Sequence, residues 1–151
     1  MRYVGYRFRL ILLGVALAVA LPATAVAGSG DKVVILLNAR NPTAKLTKAQ
    51  IQNFFLGATA FWHGVVPAKV IVRPATGEAG KAFYGPVLGR SAQGFAKHWD
   101  KLQLSGRAVA PTTARTVQDV AKAVAGSPGA ISFALASEAW QLSGIKVVEL
   151  E

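Results

Sequence analysis

Apolar positions in this chain fall into two rhythms that take turns along its length. Lys32 to Leu37 reads KVVILL, an apolar run too short for a helix and rich in β-branched residues, which predicts a buried strand. Asn38 to Asn41, followed by Pro42, predicts a turn. Leu46, Ile51, Phe54 and Phe55 then recur near helical spacing, and Thr47 with Gln50 three residues on is the pattern of a capping box, so Leu46 to Leu56 is predicted helical and Gly57 ends it. Ala68 to Val72 (AKVIV) predicts a second strand. A small-residue loop from Arg73 to Gly80 follows, before helical spacing resumes over Lys81 to Leu88 through Phe83 and Val87. Ser91 to Leu104 is a further helix with Phe95, Trp99 and Leu102 on one face, closed by Ser105-Gly106-Arg107. Thr116 to Ala125 is another, stopped by Gly126-Ser127-Pro128-Gly129. Ala130 to Leu135 and Ile145 to Leu150 are the last two strands, with a turn or short helix around Ser137 to Ser143 between them.

Strands alternating with helices imply an α/β fold, a mainly parallel sheet flanked by helices. Ligands in such sheets sit beyond the carboxyl ends of the strands, where loops lead into helix N-termini. That rule points first at Arg73 to Gly80.

The start of the chain obeys a different logic. Arg2, Arg7 and Arg9 occur with no acid, the apolar run Leu10 to Leu21 follows, Pro22 breaks it, and Ala25-Val26-Ala27 supplies small side chains at a cleavage position. This order is that of a secretory signal peptide, residues 1–27, which makes the mature domain residues 28–151 and its destination periplasmic or otherwise secreted. The rival reading is a retained anchor, since Leu10 to Ala27 is uncharged; Pro22, Thr24 and the small residues count against it. Removing residues 1–27 takes away three of the 17 basic residues and none of the seven acids, so the net charge falls from +10 to +7.

A basic surplus of that size favours anions, anionic surfaces or acidic partners. It is spread from Lys32 to Lys146 without a dense block, which argues against a nucleic-acid arm. The absence of cysteine excludes disulfides, thiolate metal sites and thiol catalysis, so about 124 residues must rely on one ordinary core. No nucleophile elbow, metal motif or acid pair is present, and neither an enzyme nor a cofactor is expected. His63 and His98 lie 35 positions apart without an acid cluster and read as surface or turn residues rather than metal ligands. Trp62, Trp99 and Trp140 could form a sugar- or base-stacking platform, but they fall one per helix or turn and read as packing residues.

Candidate chemistry is confined to the loop after the second strand. A helix start offers unpaired N–H groups and a partial positive charge, Gly77 and Gly80 permit close approach of an anion, Thr76 supplies a hydroxyl, and Arg73 offers a planar fork to an oxyanion. The same residues are also compatible with a turn and nothing more. Ser105 and Gly106 are candidates either to extend an anion site or only to terminate a helix.

The run Thr47-Lys48-Ala49-Gln50-Ile51-Gln52-Asn53-Phe54-Phe55-Leu56-Gly57, then Phe61-Trp62-His63-Gly64, resembles a stretch of the phosphate-binding proteins that serve ABC transporters. Arg73 to Phe83, Trp99, Ser105-Gly106 and Val117 to Phe133, with Ser127-Pro128-Gly129-Ala130-Ile131, continue the likeness in the same order over nearly all of the mature chain. The resemblance implies a type II periplasmic-binding-protein topology in a short, single-lobe form, with half of the usual two-lobed cleft missing. It implies phosphate or a similar oxyanion as ligand and Arg73 as its anchor; the alternative is a lobe that has lost its ligand and uses its basic surface to engage an envelope or membrane protein. The Ser-Gly-Thr loop of the family does not carry over: Gly77-Glu78-Ala79 stands there, two hydroxyl donors fewer and one carboxylate more. Glu78 either repels an anion or favours the helix dipole. The Gly-Ala-Ile-Gly-Tyr of the family reads Gly129-Ala130-Ile131-Ser132-Phe133.

Overall fold

A computed structural model describes residues 30–151; the expected export segment 1–27 and the boundary at Gly28 lie outside the described residues. In chain order the elements are β1 (Val33–Asn38), α1 (Lys48–Phe55), β2 (Phe61–Trp62), β3 (Val66–Pro67), β4 (Lys69–Val72), α2 (Glu78–Phe83), α3 (Ala92–Leu104), β5 (Thr112–Thr113), α4 (Val117–Ala125), β6 (Ala130–Leu135), α5 (Ala136–Ala139) and β7 (Ile145–Val148). Among the described residues no helix is long and apolar enough to cross a membrane.

Five strands form the central sheet in the order β5-β4-β6-β1-β7. β4 runs parallel to both β5 and β6, while β1 is antiparallel to β6 and β7. Four of the five strands therefore share one direction, and the mainly parallel α/β expectation holds. The opposed β1 has a consequence for function. Because Val33 pairs with Leu135, the residues that lead into β1 lie at the carboxyl edge of the other strands.

Side chains alternate across a strand, and here both faces are covered. Ile35, Leu37, Val70, Val72, Ile131 and Phe133 face a layer built from α1, α2 and α3. Its centre is aromatic: Phe83 stacks on Phe133 with ring centroids 3.8 Å apart, and Phe55 meets Phe83 at 4.7 Å. Val34, Leu36, Ile71 and Ala134 face the other way, onto Val120 and Val124 of α4. β6 presents only Ala130, Ser132 and Ala134 on that face, and small side chains let a helix lie close to the sheet. Asn38, buried at the end of β1, donates from Nδ2 to the carbonyls of Val124 and Ala125, which satisfies acceptors at the C-terminus of α4.

Most predicted elements appear, with the predicted cap at Thr47 and two more that the structure adds. Thr47 and Gln50 form the capping box of α1, Ser91 caps α3, and Thr116 pairs with Asp119 to cap α4. Three features differ. The second strand is followed by a shorter loop than expected, because α2 starts at Glu78 rather than Lys81, and Gly80 lies inside it. The predicted helix then widens to a π-helical turn over Tyr84–Leu88, where Pro86 has no N–H to give to the ordinary ladder. A β2–β3 hairpin and the two-residue β5 carry no readable pattern, being shorter than one period of alternation can establish.

The hairpin is nonetheless anchored. Trp62 stacks on Phe54 at 4.0 Å and donates from Nε1 to the carbonyl of Gly129 at 2.9 Å. A β-carbon on Gly129 would lie 1.9 Å from the Pro67 carbonyl oxygen, so the chain crosses itself there at glycine-only distance.

Candidate functional site

Arg73 is the first residue beyond β4 and sits at the carboxyl edge of the sheet. Its side chain is 12% exposed, and Nη1 is held by the Oε2 of Glu138 in α5, whose side chain is 27% exposed. The same Glu138 oxygen accepts the Leu135 N–H at 3.1 Å, which fixes the carboxylate against the end of β6. On the other side, the Tyr84 hydroxyl donates to the Arg73 carbonyl at 3.1 Å. Burial pushes the Tyr84 phenol above its ordinary value near 10.0. Arg73 is thus anchored through both backbone and guanidinium, although its buried Nε has no partner. An arginine fork aimed at an oxyanion already has a carboxylate, supplied by the chain itself, on one arm.

The loop that follows keeps part of the expected anion geometry. Thr76 and Gly77 are exposed at the start of α2, and Gly77 is its extended N-cap with no side chain to satisfy the first turn. Gly80 has a different role from the one its sequence context predicts. It is buried, and a β-carbon there would stand 2.2 Å from the Pro74 carbonyl oxygen and 2.7 Å from the Ala75 Cα. Its missing side chain lets α2 fold back onto its own leading loop, with the Pro74 carbonyl as the closely approaching group. Glu78 pairs with Lys81 at 3.0 Å, both well exposed. Next to them a hollow of about 420 Å³ is lined by Gly30, Asp31, Glu78, Lys81, Ala82 and Leu135. Two carboxylates and one ammonium face it, so its own charge balance disfavours an anion. Asp31 is fixed there by the Ser137 N–H and hydroxyl.

Ser105 and Gly106 do not join Arg73. They end α3 and lead toward β5, which is parallel to β4, so they approach the amino edge of the strands whereas Arg73 lies at the carboxyl edge. Ser105 Oγ donates to the Leu102 carbonyl at 2.9 Å, Gly106 takes a positive φ of 68°, and the Arg107 N–H returns to Leu102 at 3.0 Å. These are the bonds of a helix C-terminus, which is the second of the two roles the sequence left open.

The residue that sequence reasoning missed is Glu138. It stands alone in ASEA, and its only legible signal was its place just beyond a strand at the carboxyl edge. The remaining candidates are distributed. His63 is exposed in the hairpin turn with φ 48°, and His98 Nε2 lies 2.7 Å from the Leu56 carbonyl. Trp62 and Trp99 are buried packing residues, the latter donating to the Phe55 carbonyl at 3.0 Å, but Trp140 is 77% exposed and packs into neither face. Trp140 falls in the turn after α5, beyond the reach of either layer, which corrects the packing expectation for that residue.

No protein-family model matches the sequence, and no curated protein matches it. Solved structures do. A phosphate ABC transporter substrate-binding protein from Clostridium perfringens, described with bound phosphate, aligns over 80% of this chain and 45% of its own with a TM-score of 0.62 at 18% identity. An ABC-type phosphate transport receptor from Vibrio cholerae aligns over 80% and 46% with a TM-score of 0.54 at 17% identity. PstS from Borrelia burgdorferi aligns over 80% and 47% with a TM-score of 0.55 at 11% identity. The chain therefore spans less than half the length of these proteins, and at such identities the likeness is one of fold. With helices on both faces of a mostly parallel sheet, this chain has the fold of about half of a phosphate ABC transporter substrate-binding protein, the fold that the sequence resemblance implied.

Proposed function

We propose that this protein is an extracytoplasmic, non-enzymatic binding lobe of the phosphate-receptor kind, which meets an oxyanion at Arg73 only by displacing Glu138. The observation that carries the reading is the Arg73–Glu138 pair at the carboxyl end of β4. Arg73 stands where the fold directs ligands, and its partner has the charge and planar geometry of the anion it would otherwise hold. Thr76 and Gly77 complete the open part of the site, while Gly80 supports the loop from behind and Ser105 and Gly106 take no part. A ligand on one lobe is enclosed from one side only, so affinity is low unless a second copy or a partner supplies the opposite wall.

Glu138 also sets the magnitude. A carboxylate about 5 Å from a bound anion, at an effective dielectric of about 20, opposes it by about 3 kcal/mol for each unit of ligand charge. Titration calorimetry of the parent, Glu138→Gln and Arg73→Ala proteins with phosphate and sulfate tests the reading. The expected series is millimolar or weaker binding by the parent, at least tenfold tighter binding by Glu138→Gln, and none by Arg73→Ala. Equal affinities across the three proteins would remove Arg73 from the function.

A second reading is favoured by the carboxylates of Asp31 and Glu78 around the adjoining hollow. In it the lobe has given up its ligand, Glu138 is a permanent counter-ion, and the basic surface engages an envelope or membrane protein. Absence of heat from both the parent and Glu138→Gln, together with crosslinking to one defined envelope protein, is the result that selects it.

A further inference from the structure

At the opposite edge of the sheet, β4 leaves part of its flank uncovered. β5 pairs only with Ile71 and Val72, so the flank of Lys69 and Val70 on that side faces no strand. The segment leading into β5, Arg107 to Ala110, lines one side of an open-mouthed cavity of about 510 Å³ beside this flank, within the range typical of small-molecule sites. Its walls are apolar: Phe54, Phe61, Val70, Trp99, Ala108 and Ala110. Two of these walls are stiff. Trp99 is pinned by its bond to the Phe55 carbonyl, with the backbone of Gly57 pressed against its ring, and Phe54 is stacked on Trp62. The mouth, by contrast, displays unburied apolar surface, with Phe61 51% and Val109 92% exposed.

Charge around this cavity has one sign. Lys69 and Arg107 line it, neither has an ion-pair partner among the described residues, and no acid lines it. We infer that this cavity binds a small amphiphilic monoanion, an aliphatic carboxylate, with its chain against Phe54, Phe61, Val70 and Trp99 and its head between Lys69 and Arg107. A neutral apolar molecule leaves both cations unmatched, and inorganic phosphate leaves the apolar walls wet. A peptide added as a strand has only two residues of free edge to pair with, too few for a ladder to hold it. The site is separate from Arg73, at the other end of the strands, and stands or falls independently of the phosphate-receptor reading.

Titration calorimetry with octanoate, octanol and inorganic phosphate tests the inference on the parent, on Lys69→Ala/Arg107→Ala and on Arg73→Ala. Octanoate is expected to bind the parent at least tenfold more tightly than octanol. The double variant is expected to lose at least tenfold in octanoate affinity while its octanol affinity and melting temperature stay within error of the parent. Arg73→Ala is expected to bind octanoate as the parent does. Filling the cavity with Ala110→Phe is expected to weaken octanoate and octanol alike. Octanoate that does not bind, that binds no better than octanol, or that binds the double variant undiminished would overturn it.

Discussion

Replacing Gly80 with alanine separates two accounts of the same residue. In an exposed helix interior alanine is worth about 1 kcal/mol more than glycine, so if Gly80 served only to let an anion approach, the variant would be as stable as the parent or more so. The structure argues the reverse. The new β-carbon would lie 2.2 Å from the Pro74 carbonyl oxygen and 2.7 Å from the Ala75 Cα, and both are backbone atoms that no rotamer change can remove. An ordinary contact needs more than an ångström of additional separation, which α2 can find only by lifting off the loop and loosening Ala79 and Phe83, both buried. Overpacking of this kind costs about 1–3 kcal/mol, and with two backbone contacts this short the cost falls at the upper end, about 3 kcal/mol, so that after the propensity gain the net loss is about 2 kcal/mol. In a domain of this size that lowers the melting temperature by about 8 °C. Thermal and urea unfolding of Gly80→Ala beside Gly85→Ala is the assay, because a β-carbon at Gly85 would meet nothing within 4 Å. A Gly80→Ala protein that melts at or above the parent temperature would refute the packing argument.

Gly129→Ala is expected to be more damaging still, by about 3 kcal/mol or more, since its β-carbon would fall 1.9 Å from the Pro67 oxygen and the shift would carry away the carbonyl of residue 129 itself, which accepts both Trp62 Nε1–H and the Lys69 N–H; the urea midpoint measures it. Tyr84 predicts the alkaline limb of stability. Its phenol is raised in the folded state by burial, so its contribution is complete below pH 10, the ordinary tyrosine value, and declines as pH rises through the higher folded value. Tyr84→Phe is expected to flatten that limb in a pH series of melting temperatures, and an unchanged slope would show that another group governs it.

Local order along this chain was written locally. The capping box at Thr47, the apolar run in KVVILL and the stop at Gly126 to Gly129 each depend on residues within a few positions, and the folded chain uses them as read. The α/β class followed from the succession of those elements. The departures share a cause, which is that they depend on contacts between distant segments. β1 runs against its neighbours because of where the chain enters the sheet, and no side chain in KVVILL encodes that direction. Gly80 and Gly129 read as loop or turn glycines, yet each is required by a carbonyl that approaches it, from Pro74 across a turn and from Pro67 62 positions away. The fork of Arg73 was legible as an anion-binding group, and the loop's loss of hydroxyls was legible beside it. That Glu138, 65 positions on, reaches that fork was decided only when β6 and β4 paired in parallel and brought their carboxyl ends together. The sequence by itself determined which groups could hold an oxyanion; the tertiary structure determined that a carboxylate of the same chain holds Arg73, because parallel pairing places the residues after both strands at one edge.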